Sequence, residues 1–264
     1  MPLDTPEQQN QHQVSVLSYL TDSVKTVLVR VVKNADEVAR EVVHTLSGRI
    51  KELLASTVEM SEATSNSART AIKGADAAGA DAIKLGVSLL TGTFAGTAEA
   101  TVGAVRAAQA VASGVIQGLA DVGIDLEKAA SRLASETVKA TGEVSGNVVK
   151  VTREAVTGIA SGASGATTDA IAAVQAAVRG AIQAANESGR DVGQVAVASV
   201  TGALEGLGKV GGSATGTLQA LIVSALDAGK AISPEVAAKI RNALIDSVNG
   251  AEAIVKEHEP TAAA

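Results

Sequence analysis

From Thr26 onward, apolar residues return at steps of three and four, and the whole pattern returns every 22 residues. Written in rows of 22 from Thr26, the third position reads Leu28, Ile50, Ile72, Phe94, Ile116, Val138, Ala160, Ile182, Leu204, Leu226 and Val248. It is apolar in every row. Further apolar positions fall at 6, 13, 17 and 21 of the row. Such steps gather side chains on one face of an α-helix, and a half-repeat of 11 residues completes three turns. The period-two alternation of a half-buried strand does not occur, and the high alanine content supports helix.

The same rows predict where each helix stops. The twelfth position carries capping residue types, among them Asp81, Asp125, Asn147, Asp169, Asp191 and Ser213, and two positions earlier stand Gly79, Gly123, Gly189, Gly211 and Ser233. Glycine closes a helix in the left-handed conformation, and a side-chain oxygen then accepts from the first free N–H groups of the next. Ser233 followed by Pro234 and Glu235 is a start signal of the same kind, with proline at the first helical position. These breaks favour about ten helices of roughly 17 to 19 residues, near 27 Å long. Turns this short make consecutive helices antiparallel. The competing reading is long continuous helices of 11-residue period, which would supercoil right-handed.

The expected fold is therefore all-α: tandem 22-residue repeats forming short antiparallel helices stacked through Gly/Ala faces. Residues 1–25 read as a polar flexible tail and 26–69 as atypical, more charged capping repeats. Residues 70–256 carry the Gly/Ala-rich repeats, and 257–264 form a C-terminal tail.

Four Gly-x-x-x-Gly pairs, Gly92/Gly96, Gly114/Gly118, Gly158/Gly162 and Gly202/Gly206, keep one register in mid-helix. Glycine inside a helix costs about 0.5–1 kcal/mol relative to alanine, so something must return that energy. Residues four apart share a face, and two glycines there remove the ridge that holds helices apart. A neighbouring backbone can then approach for dispersion and Cα–H···O contacts. The motif is best attested between membrane helices, but charges recur through every row and favour packing between soluble helices.

Composition sharpens this picture. Hydrophobic residues make up 46% of the chain, yet Tyr19 and Phe94 are its only aromatics, and 26 glycines stand beside the alanines and valines. Large side chains bury far more area than alanine does, so stability has to come from many thin contacts, which suits an extended stack. The chain has no cysteine, which excludes disulfides and thiolate metal sites. Its net charge of −6 is spread along the length, and no basic patch recommends nucleic acid. The first residues lack the basic start and apolar stretch of a secretory signal, and the longest uncharged run, 210–226, is too short and polar to span a bilayer. A cytoplasmic location is expected.

Chemistry is hard to place. Asp81, Asp125, Asp169 and Asp191 stand multiples of 22 apart, so they line the edges of a stack rather than converge on a metal, and capping accounts for them. His12, His44 and His258 are isolated. The glycine-rich stretch 202–208 has no preceding strand and no Gly-Lys-Ser or Gly-Lys-Thr. Lys73, Lys84, Arg106, Lys128, Lys139 and Lys150 read as a solvated face. No catalytic, cofactor-binding or metal site is expected, and the chain reads as non-enzymatic.

The stretch from Val148 to Ala163, VVKVTREAVTGIASGA, resembles the 11-residue repeats of synucleins and perilipins, and the 22-residue units are similar to those of exchangeable apolipoproteins. Alanine richness and the ending Pro260-Thr261-Ala262-Ala263-Ala264 are similar to bacterial phasins and to Ala/Gly-rich bacterial helical repeat proteins. The phasin resemblance implies an amphipathic coat on lipid or polyester inclusions. Two features depart from it: an apolar stripe made mostly of alanine and valine, and glycine pairs suited to helices packed on each other. The first expectation is a structural scaffold that associates with itself as a homo-oligomer or filament. The phasin-like coat is the alternative.

Overall fold

A computed structural model describes residues 59–77, 79–95, 102–143, 148–166, 170–208 and 214–258. The expected N-terminal tail, residues 26–58 of the expected capping repeats and residues 259–264 fall outside the described residues, as do Gly96, Asn147, Asp169 and Ser213. Ten helices follow in order: α1 (Glu59–Ala77), α2 (Ala82–Ala95), α3 (Val102–Asp121), α4 (Leu126–Glu143), α5 (Val148–Ala166), α6 (Ala170–Glu187), α7 (Val192–Gly208), α8 (Ala214–Ile232), α9 (Pro234–Ser247) and α10 (Ala251–His258). No strand occurs among the described residues. The boundary expected at residues 69/70 lies inside α1.

The breaks work as local chemistry requires. After α1, Gly79 takes φ +72°, which a β-carbon would strain. Its N–H donates to the Asp76 carbonyl and that of Ala80 to Ala75, both at 2.9 Å, so the last carbonyls of the helix are satisfied. Asp81 follows at once, its Oδ1 accepting from the Lys84 N–H at 2.9 Å to open α2. Gly123 with Asp125 and Gly189 with Asp191 build the same turn. At the start of α9, Ser233 Oγ accepts from the Val236 N–H at 3.2 Å with Pro234 in the first turn. The continuous-rod alternative is thereby excluded for the described residues. The final repeat departs from the others: α9 ends at Ser247, and Gly250, which stands at the same row position as Gly118, Gly162 and Gly206, sits in a turn at φ +83°. Asn249-Gly250 is the local turn signal.

Consecutive helices run antiparallel, and each packs substantially only on its next and next-but-one neighbours. Two layers result, α1, α3, α5, α7 and α9 in one and α2, α4, α6, α8 and α10 in the other. A single apolar cluster runs between them from Ala68 to Val255. Ile72, Ile116, Val138, Ala160 and Ile182, all from the third position of the row, are fully buried in it, alongside Leu90, Leu119, Leu133 and Leu221. Burying such a branched side chain is worth about 1.5–3 kcal/mol. The many alanines around them contribute closeness rather than area.

Candidate functional site

The glycines join helices two apart in the chain. Gly114 and Gly118 of α3 lie on the backbone carbonyls of Ser65 and Arg69 in α1. Gly158 and Gly162 of α5 lie on Gln109 and Ser113 of α3, and Gly202 and Gly206 of α7 on Arg153 and Thr157 of α5. In every case the partner stands 49 positions earlier, so alternate helices are parallel and staggered identically. A methyl group on Gly162 would lie 2.6 Å from the Ser113 oxygen, and one on Gly118 2.9 Å from that of Arg69. Along these seams the glycines face backbone carbonyls and the β-carbons of Ile72, Ala112, Ile116 and Ala160, none of which can rotate out of the way. Gly92 lies in α2.

The second layer uses the register differently. Gly180 of α6 lies on the Ser131 carbonyl of α4, 49 positions earlier, but Ala184 replaces the second glycine. In α8 the first glycine position is Ser224, whose hydroxyl donates to the Gln175 carbonyl at 3.3 Å, again 49 positions back. Arg179 Nη1 donates to Ser224 Oγ at 3.1 Å, and Gln175 Nε2 to the Ala220 carbonyl at 3.0 Å.

Charges fasten the same pairs of helices. Arg69 grips Asp121 with two donors at 2.6 and 2.7 Å, and Lys73 adds a contact at 3.5 Å. The Arg69 hydrogen bonds hold the Asp121 carboxyl below its ordinary value. Arg153 grips Glu205 with two donors across the α5/α7 seam, and Lys139 reaches Glu187 at 3.0 Å across α4/α6. Lys73 and Lys139, read from the sequence as a solvated face, are therefore partners in inter-helix ion pairs.

The capping aspartates Asp81, Asp125 and Asp191 are exposed and distributed over separate turns. Among the described residues no three His, Cys, Asp or Glu side chains gather in a way that could hold a metal ion. Buried hydroxyls of Thr137, Thr141, Thr157 and Ser199 donate to carbonyls one turn back on their own helices. Nothing activates them as nucleophiles there.

A concavity breaks the surface at the C-terminal helices. Between α8, α9 and α10 a cleft of about 300 Å³ has Leu226, Val255 and Pro234 in its walls and Lys230, Arg241 and His258 around it. Sequence reasoning missed it, because it is formed only when the shortened final repeat folds back on α8. His258 Nε2 lies 3.1 Å from Asp227 Oδ1, and Lys230 Nζ lies 3.7 Å from the same oxygen. No helix among the described residues is long and apolar enough to cross a membrane.

Comparison with protein-family models and with curated proteins gives no match for this chain.

Proposed function

We propose that this chain is a non-catalytic scaffold, a stiff two-layered stack that associates with itself end to end. The observation that carries the reading is the glycine-on-carbonyl contact repeated at one register along α1, α3, α5 and α7. Six glycines within helices are a sizeable expense in helix propensity, and close seams that stiffen the stack are what they return. Contacts confined to near neighbours leave the α9/α10 end of the described stack with a layer edge to satisfy. Beyond α9, no further helix of the described chain occupies the next-but-one position that α3, α5 and α7 fill on their predecessors. A second copy supplies a surface of the right kind.

The phasin-like alternative asks apolar faces to leave the stack for a lipid or polyester surface. Among the described residues Ile171, 42% exposed, is the only large apolar side chain open to solvent. A coat would thus have to open seams that are already closed. Sedimentation velocity over a concentration series, with and without lipid vesicles, tests both readings. A scaffold sediments as an elongated particle whose mass grows with concentration and ignores vesicles. A strict monomer at all concentrations, or helices that detach onto vesicles, would refute the end-to-end stack.

A further inference from the structure

We propose that Asn249 is a site of spontaneous modification: its side-chain amide is lost to attack by the Gly250 nitrogen, and the isoaspartyl product frees α10 from α8. Asn249-Gly250 is the only Asn-Gly pair in the chain. Both residues are exposed, in the turn between α9 and α10. Glycine has no β-carbon to shield its own nitrogen, and Gly250 stands at φ +83°. The turn holds the N–H of Val248 on the Leu244 carbonyl at 2.9 Å and that of Ala251 on the Val248 carbonyl at 3.1 Å. The Gly250 N–H, by contrast, donates to no acceptor among the described residues. Asn66, Asn186 and Asn242 lie within α1, α6 and α9, where the following N–H belongs to the helical ladder and the backbone keeps it away from the side-chain carbon. Asn10, Asn34 and Asn147 lie outside the described residues.

The reaction needs no partner but water. The Gly250 nitrogen gives its proton to solvent and bonds to Asn249 Cγ, closing a cyclic imide. The Cγ–Nδ2 bond breaks, and that nitrogen takes up a proton and leaves as ammonia. Water then opens the ring at either carbonyl, and nothing is oxidised or reduced. One opening gives aspartate. The other gives isoaspartate, in which the main chain runs through the former side chain and is one methylene longer. That methylene falls in the turn closed by the Ala251–Val248 bond. Beyond the turn, α10 is eight residues long and docks through the buried Ala251, Ile254 and Val255 and through His258 Nε2, 3.1 Å from Asp227 Oδ1 on α8. So short a helix has little stability of its own, so its order rests on docking, and docking rests on the length of the turn. This inference does not depend on the scaffold reading.

The direct test ages the dilute full chain for days at physiological temperature and reads its peptides by mass spectrometry with electron-transfer fragmentation. The expected result is exchange of NH₂ for OH at position 249, with isoaspartate among the products, at least about tenfold faster than at Asn66, Asn186 and Asn242. The change should run faster in mildly alkaline than in mildly acidic buffer, because the attacking nitrogen must lose its proton. In hydrogen exchange the α10 amides of the isoaspartyl protein should exchange at least about tenfold faster than in fresh protein, with α3 to α7 unchanged. Asn249→Gln, whose longer side chain disfavours the ring, should abolish both changes on ageing. Fresh Asn249→Asp adds the charge without the methylene and should keep α10 protected. Modification at Asn249 no faster than at the helical asparagines overturns the proposal, as does an isoaspartyl protein whose α10 exchanges normally. Loosening of α10 in aged Asn249→Gln or in fresh Asn249→Asp also overturns it, since the longer backbone would then not be the cause.

Discussion

The two layers of the molecule close the same contact in different ways. In the α1–α3–α5–α7 layer each seam has a pair of glycines on a pair of carbonyls, and two of the three seams are also gripped by an arginine–carboxylate fork. In the other layer the α4/α6 seam has Gly180 with Ala184, and at α6/α8 the position is Ser224, where a hydroxyl bond takes the place of bare backbone contact. Both solutions keep the 49-residue register. The stagger of the helices is therefore a property of the repeat, and the closeness of each seam is a property of one side chain.

Breaking the first layer should have the largest effect. Gly158→Leu combined with Gly202→Leu should lower unfolding free energy by at least about 3 kcal/mol in chemical denaturation, because the added atoms meet backbone that cannot yield. Gly158→Ala alone should cost about 1–3 kcal/mol for the same reason, whereas Gly216→Ala in α8, where a β-carbon meets nothing within 4 Å, should stabilise by about 0.5 kcal/mol. Equal effects at the two sites would remove the seam argument. Next in size, Ser224→Gly should destabilise by about 1–2 kcal/mol, from lost hydroxyl bonds and lower helix propensity. A neutral result would mean that α8 can move in and adopt the closer seam. Asp125→Ala, read by thermal melting, should cost about 1 kcal/mol by uncapping α4.

The smallest effect concerns pH. Asp121 titrates below the usual carboxylate range in the folded chain because Arg69 hydrogen-bonds its charged form. A depressed folded value gives stability that is present above the unfolded value, near 4, and is lost as pH falls through the folded one. For so exposed a pair the loss should stay under about 1 kcal/mol, and Asp121→Asn should remove that part of the acid dependence. Denaturation midpoints compared from pH 6 down to acid conditions would show it.

Much of the helical architecture was legible in the residues. The cap positions marked the starts of α4 and α7, because Asp125 and Asp191 accept from backbone N–H groups within three positions of themselves. What stayed hidden depends on distance along the chain. The charges of Arg69 and Asp121 are 52 residues apart, and no local pattern marks them as partners. The glycine partners were likewise unreadable from a 22-residue period that treats all rows alike. A clue was nevertheless present: Gly114/Gly118, Gly158/Gly162 and Gly202/Gly206 recur every 44 residues, which separates alternate rows. The cleft at α10 had no precursor in the pattern, since it arises where the repeat fails at Asn249-Gly250.

The next-but-one seams have a consequence for how such a molecule can grow or shrink. Losing one 22-residue unit would transpose every later helix to the opposite layer, setting serine-type edges against glycine-type ones and parting Arg153 from Glu205 if the cut fell between them. Losing 44 residues preserves the parity of all that remains. The heritable unit of length in this architecture is the helix pair, and internal deletions of one helix should be far less well tolerated than deletions of two.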